Sequence, residues 1–322
     1  MSSKKTLKQI LSESKKCFLV PCVYDCASAR AVEMCHFPVM LLSGGEVSIS
    51  LNGVIDYGFT NLTDLEGVVS RVSETTSIPL IADIEDGFGG PLAVYRAAKR
   101  LAAAGAAAIQ LEDAGDMEDS TKILSREKFM AKVRAAIDAL KGTDCLLIAR
   151  TNAEPDDPAE MKEGCERLQE ALNEGADLAM MVKVVNMKQA TKMAKIVTGP
   201  KIWADVRAEK KDGRWVPAVT MDEMNPLGFV MCSSHYTMKA AMEGMLEHGL
   251  RNFADQSVAY TFATAPTTGI ESFSASALFE PQDYMELENQ YTKDQKEYTI
   301  VGHQVESYPK DKFCSVDIRD RL

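Results

Sequence analysis

Eight short apolar runs recur along the chain, each closing on a polar or small residue. They occupy 18–25 (FLVPCVYD), 39–45 (VMLLSGG), 79–86 (PLIADIED), 107–113 (AAIQLED), 145–151 (CLLIART), 178–184 (LAMMVKV), 201–206 (KIWADV) and 227–234 (LGFVMCSS). Runs that are apolar throughout, not alternating, predict strands buried on both faces, as in a parallel sheet. The intervening stretches have helical spacing: in 91–104, Val94, Ala98 and Leu101 share a face, and 125–140 opens on a capping Ser. Gly105, Gly175 and Gly249 are expected at helix ends, where a left-handed cap has no use for a Cβ. Leu7, Ile10 and Leu11 predict a short amphipathic helix before the first strand.

Eight buried strands alternating with helices over about 230 residues predict an α/β fold of the (β/α)8 TIM-barrel type, spanning 1–250 with its N-terminal helix. A doubly wound sheet is the alternative, but it uses fewer strands and opens on a Gly-rich phosphate turn that is absent here. Beyond residue 250 the repeat stops. The stretch 251–322 is richer in Tyr, Glu, Gln and Asp and is expected to form a C-terminal helical appendage on the barrel or a neighbouring subunit, not an independent domain.

Composition narrows the partners. Lys+Arg 36 against Asp+Glu 47 leaves a net charge of −11, a poor match for nucleic acid or an anionic membrane. No stretch approaches about 18 consecutive apolar residues, and the Lys-bearing N-terminus lacks the apolar core of a signal peptide. The eight cysteines are dispersed, with no Cys-x-x-Cys pair, and the four histidines are not at zinc spacing. Reduced thiols and a cytoplasmic location are expected.

The strand ends carry the candidate chemistry, because in a barrel they converge on one face. Asp83 and Glu85, two apart, are expected to point the same way, with Glu112 on the next strand and Asp56 in the loop after the second. Such an oxygen-only set suits Mg²⁺ or Mn²⁺; solvated strand-end caps are the alternative. Ser43-Gly44-Gly45 leaves backbone N–H groups free for a carboxylate, although Gly-Gly is also ordinary turn chemistry. Arg150 closes an apolar strand, either paired to an acid or free to grip a carboxylate at two points. Tyr24 closes the first strand. His235 follows the eighth strand and is read as an acid or a substrate contact, with helix capping as the alternative. Asp205 and Trp203 are expected to line the pocket, while Cys22 and Cys26 are better explained as small apolar fillers than as acids.

The segments VYDCASARAVE, LLSGGEVS, ADIEDGFGG, AGAAAIQLED and IARTNA, in this order and spacing over roughly 18–250, resemble the isocitrate lyase/phosphoenolpyruvate mutase superfamily. The resemblance implies a modified barrel whose eighth helix is exchanged between subunits of a homotetramer. It also implies Mg²⁺ and a small 2-oxo or 2-hydroxy acid, with C–C or P–C chemistry through an enolpyruvate-like species. Carried over, Tyr24, Ser43, Gly44 and Gly45 hold the pyruvyl carboxylate, and Asp83 binds the metal directly. Asp56, Glu85 and Glu112 act through metal-bound water, and Arg150 binds substrate.

Two departures shape the expected activity. The family's second metal-site Asp is Glu85 here. The lid stretch 114–124 (AGDMEDSTKIL) has neither the lyase branch's Lys-Lys/Arg-Cys-Gly-His nor the mutase branch's Lys-x-Asn-Ser, and Lys122 is its one cation. The expected activity is Mg-dependent C–C cleavage of a methylisocitrate-, dimethylmalate- or oxaloacetate-like acid, with catalytic roles for Arg150, His235 and Lys122. The alternatives are P–C mutase or hydrolase chemistry, or a non-catalytic 2-oxo acid-binding homologue.

Overall fold

The computed structural model describes residues 5–115 and 123–263, together with Leu287, Gln290 and Tyr291. Each apolar run forms a strand: β1 (Phe18–Val23), β2 (Met40–Leu42), β3 (Leu80–Asp83), β4 (Ala108–Glu112), β5 (Leu146–Thr151), β6 (Leu178–Met181) and β7 (Lys201–Trp203). A hairpin of β8 (Ala208–Lys211) and β9 (Arg214–Pro217) then precedes β10 (Phe229–Ser234). The eight runs close into one parallel barrel in the order β1-β10-β7-β6-β5-β4-β3-β2, so the expected TIM-barrel architecture is the observed one.

The strands are apolar on both faces because both are covered. Val20, Cys22, Leu41, Ile81, Ile148 and Met180 belong to the cluster that fills the barrel. Residues of the opposite parity, such as Val23, Leu42, Ala82, Leu147 and Met181, pack against the surrounding helices. Helix α1 (Leu7–Glu13) buries Leu7 completely, and Ile10 and Leu11 pack on the same interior cluster. Trp203 has the outward parity and meets Phe229 edge-on at 5.2 Å, so it belongs to the helix-facing core and not to the pocket.

Polar residues start the crossover helices where the strands end. Asp25 caps α2 (Cys26–Met34), Ser43 caps α3 (Gly44–Asn52), and Asn61 caps α4 (Leu62–Thr75). Pro91 opens α5 (Pro91–Ala103), where its missing N–H costs nothing. Ser125, Asp157 and Asn186 cap α6 (Arg126–Leu140), α7 (Pro158–Glu174) and α8 (Met187–Ala194). Gly105 and Gly175 end helices at φ +106° and +123°, whereas Gly249 lies inside a helix.

After α9 (Met221–Met224) and β10 comes α10 (Thr237–Asp255), then α11 (Ala259–Ala263). The chain divides into two compact units, Met1–Ala240 and Ala241–Leu322, so the division falls within α10. In the second unit His248 and Asn252 hydrogen-bond Thr261, and Tyr260 donates to Glu247 at 2.8 Å. Most of 251–322, the expected appendage, lies outside the described residues.

Candidate active site

The inward parity that fills the barrel continues into polar residues at its carboxyl end. It leads from Ile81 to Asp83, from Ala108 through Gln110 to Glu112, and from Ile148 to Arg150. On the other side it leads from Cys22 to Tyr24, from Leu41 to Ser43, and from Met231 through Ser233 to His235. Ordinary strand geometry therefore gathers these side chains at one mouth.

Arg150 ties the acids together. Its Nη1 donates to Asp83 Oδ2 at 2.9 Å, its Nη2 lies 2.7 Å from Glu112 Oε2, and Asn152 Oδ1 is 3.5 Å from Nη2. Burial opposes the guanidinium's charge, but Asp83, Glu112 and Glu85 outweigh it and raise its pKa above the ordinary value. The other oxygen of Asp83 accepts from the Glu85 backbone N–H at 3.1 Å.

Glu85 joins these acids by a route the strand pattern does not show. β3 stops at Asp83, and Glu85 takes a left-handed φ of +52° in the following turn. The neighbouring turn also demands glycine, because a Cβ on Gly87, at φ +84°, would lie 2.4 Å from Val94 Cγ2. Glu85 Oε1 is buried with no hydrogen-bond partner. It lies so close to Gly44 that a Cβ there would stand 1.8 Å from it. Gly45 likewise faces Asp56, whose Oδ2 would be 3.5 Å from an added Cβ. Burial first, then Asp83, Glu112 and Asp56, push the Glu85 carboxyl well above the usual carboxylate range. Glu112 is raised by burial in the same way, with Arg150 opposing.

The opposite side of the mouth holds a second set. Asp205, at a left-handed φ of +52°, accepts from the His235 backbone N–H at 3.3 Å and lies 3.5 Å from its Nδ1. That carboxylate, against burial, raises the imidazole pKa above its ordinary 6.5, and Glu46 and Asp83 add to the rise. Cys22 is completely buried, and desolvation holds its thiol protonated, in keeping with an apolar filler. Tyr24 is half-buried, and Asp56 is exposed at the rim. Lys122 lies outside the described residues.

Three residues went unassigned in the sequence. Asp113, completely buried, accepts from Thr151 Oγ1 at 2.5 Å, the Asn152 N–H at 2.8 Å and Arg167 Nη1 at 2.7 Å. This holds the turn that follows Arg150. Asn152 was readable as the polar residue next beyond Arg150 on the inward parity. Glu46, only 8% exposed, sits in the first turn of α3 and is hidden in the sequence by its resemblance to an ordinary helix cap.

Among the described residues no three or more His, Cys, Asp or Glu side chains are gathered tightly enough to cage a metal ion by themselves. The donor chemistry nevertheless fits a hard cation. Asp56, Asp83, Glu85 and Glu112 face a single guanidinium, and the buried Glu85 Oε1 has no protein partner.

Comparison with known proteins places the chain. The profile of the phosphoenolpyruvate phosphomutase family matches residues 7–252. An oxaloacetate decarboxylase of Rhodopseudomonas palustris is 33% identical over 151 residues, 46% of this chain and 52% of its own length. The match thus spans about half of that relative. A 2-methylisocitrate lyase of Aeropyrum pernix is 29% identical over 225 residues, covering 68% of this chain and 70% of its own. The structure of an oxaloacetate acetylhydrolase in complex with the product oxalate superposes with a TM-score of 0.76 at 26% identity, covering 90% of this chain and 98% of the other.

Proposed function

Since the chain belongs to the phosphoenolpyruvate mutase/isocitrate lyase superfamily, we propose that it is a divalent-metal-dependent lyase that breaks a C–C bond of a small 2-oxo or 2-hydroxy di- or tricarboxylate, releasing pyruvate through an enolate, which is pyruvate's own when the acid is oxaloacetate-like. The observation that carries this reading is the single guanidinium of Arg150 set among Asp83, Glu112 and Glu85, with a buried carboxylate oxygen unpartnered. The negative charge in excess of Arg150 suits Mg²⁺ or Mn²⁺ and the oxygens of an anionic substrate. Asp83 would hold the ion directly, and Asp56, Glu85 and Glu112 would complete the set through water. When bound, the ion supplies Lewis-acid stabilisation of the charge that develops on the 2-oxo oxygen.

The protein's own groups orient the substrate. Gly44 and Gly45 occupy the first turn of α3, where N–H groups lack intrahelical partners and favour an anion. Ser43 Oγ already accepts from the Glu46 N–H at 3.3 Å, leaving its own proton to donate to a carboxylate. Tyr24 flanks that position. Arg150 grips a substrate oxygen or carboxylate at two points. His235 contacts the substrate or handles its proton from the far side, and Lys122 supplies a second cation.

The same family reading includes a homotetramer with α10 exchanged between subunits. The exposed Met242, Met245, Leu246, Leu250 and Phe253, which recur at helical spacing on α10, support it. No helix among the described residues is long and apolar enough to cross a membrane.

The direct test is pyruvate release from oxaloacetate, 2-methylisocitrate, 2,3-dimethylmalate and phosphonopyruvate, each with Mg²⁺ and with EDTA. Turnover of one of the first three, abolished by EDTA, is expected. Turnover of phosphonopyruvate alone would place the chemistry at a P–C bond, and no turnover with retained oxalate binding would mark a non-catalytic binder.

A further inference from the structure

Ser43-Gly44-Gly45-Glu46 has the spacing of a capping box, in which the Glu side chain returns to the N-cap backbone N–H. Among the described residues four other helices close that box, at Thr6, Asp25, Asn61 and Thr220. Here the first half forms, with Ser43 Oγ accepting from the Glu46 N–H, but the Ser43 N–H is already bound to Val23 O at 3.1 Å. Glu46 therefore has no cap to make. Its residue is 8% exposed, and its Oε2 is buried without any hydrogen-bond partner. An oxygen left in that condition costs stability unless a ligand or a proton satisfies it.

The surroundings of Glu46 indicate which. It follows directly on the two glycines whose α-carbons face Glu85 and Asp56. It is also close enough to Tyr24, Cys22 and His235 for its charge to influence each of them. Burial raises its own carboxyl above the ordinary value, with His235 opposing and Asp205 adding to the rise. Burial thus favours the protonated form, from which a carboxyl can donate a proton.

We propose that Glu46 is the general acid that protonates the enolate carbon, a proton that the 114–124 segment has no Cys or His side chain to give. The inference rests on the lyase reading above. When the C–C bond breaks, its electron pair enters the enolate. For an oxaloacetate-like acid, which loses CO2, the methylene carbon of the resulting enolate takes the proton from Glu46 Oε2, giving the methyl group of pyruvate and leaving Glu46 as a carboxylate. His235, held by Asp205 at the open mouth, returns a proton to Glu46 and regains one from water. No electrons are exchanged with any other reactant.

The test is exchange of the methyl protons of pyruvate in D₂O, followed by NMR on the full chain with Mg²⁺, because pyruvate is the product of the step and exchange reads protonation of its enolate without the cleavage. Glu46→Gln is expected to slow exchange by about a hundredfold or more. Glu46→Asp should restore part of the rate. Oxalate affinity, measured on the same variants as a check on folding and binding, should stay within about threefold of the unaltered chain. Exchange in Glu46→Gln within about threefold of the unaltered chain would overturn the proposal. Loss of exchange together with oxalate binding would overturn it too, since Glu46 would then hold ligand and not the proton. If the unaltered chain neither exchanges pyruvate nor cleaves any acid, the lyase reading itself fails, and that result needs no variant.

Discussion

Arg150 and Glu112 face each other directly in the β4–β5 ladder, and their side chains form an ion pair with 2.7 Å between Nη2 and Oε2. Asp83, on the next strand over, takes the other end of the same guanidinium. One cation thus compensates acids from two strands, and its removal leaves buried negative charge unpaired.

Arg150→Gln should therefore destabilise the metal-free protein by about 3 kcal/mol, the scale for breaking a buried pair. It should also make the protein more dependent on a divalent cation. Thermal melts in EDTA and in Mg²⁺ check this, with the Mg²⁺-induced rise in Tm expected to be larger in the variant than in the unaltered chain.

Gly44→Ala is expected to perturb the site more than the fold. The new methyl would collide with Glu85 Oε1, the far end of a flexible side chain, so the carboxyl swings away while α3 stays in place. Mg²⁺ affinity should fall by about tenfold, with a stability change under about 1 kcal/mol. Titration calorimetry and urea unfolding read the two quantities separately.

The buried Asp113–Arg167 pair predicts the reverse balance. Both side chains are nearly inaccessible, at 0% and 3%, and Asp113 also bonds Thr151 and the Asn152 N–H. Arg167→Met leaves that carboxylate without its cation and should cost about 3–5 kcal/mol in urea unfolding. Altering both residues to apolar ones of similar volume should recover most of the loss, in line with the strong coupling of buried pairs.

His235 and Asp205 give a pH signature. The His235 pKa is raised above 6.5, so its share of the pairing is complete below 6.5 and lost as pH rises through the folded value. The Asp205 pKa is lowered from 3.8, so its share is present above 3.8 and lost as pH falls through the folded value. The pair is therefore at full strength between those limits. Its effect on stability is small, because the two side chains are 43% and 53% exposed. NMR titration of the imidazole should show His235 above 6.5 in the unaltered chain and lower in Asp205→Asn.

Much of the site was legible because strand parity is simple. Asp83, Glu112 and Arg150 each extend the inward face of an apolar run, and a barrel brings such ends together. Where the backbone leaves the strand, parity fails. Glu85 reaches the acids from a left-handed turn, not from the strand on which spacing alone would put it. Trp203 lies one step out of register with the pocket, a difference its neighbours in KIWADV do not reveal. The β8–β9 hairpin carried a readable signal in Asp212-Gly213, whose positive φ values of 49° and 79° match a tight hairpin turn, but its exposed strands lack an apolar run. Glu46 is the instructive case. Its sequence context is a proper capping box, and only the tertiary bond from Ser43 N–H to Val23 O shows that the box is left open.

Oxalate, a planar dicarboxylate mimic of the pyruvate enolate, tests the central claim most directly through its binding to the full chain with Mg²⁺ and with EDTA, compared between the unaltered protein and Asp83→Ala. If the acids at the barrel mouth hold a divalent ion that in turn holds a 2-oxo acid, oxalate binds with Mg²⁺ and fails to bind in EDTA or to Asp83→Ala. Equal binding in Mg²⁺ and EDTA, undiminished in Asp83→Ala, would contradict the account.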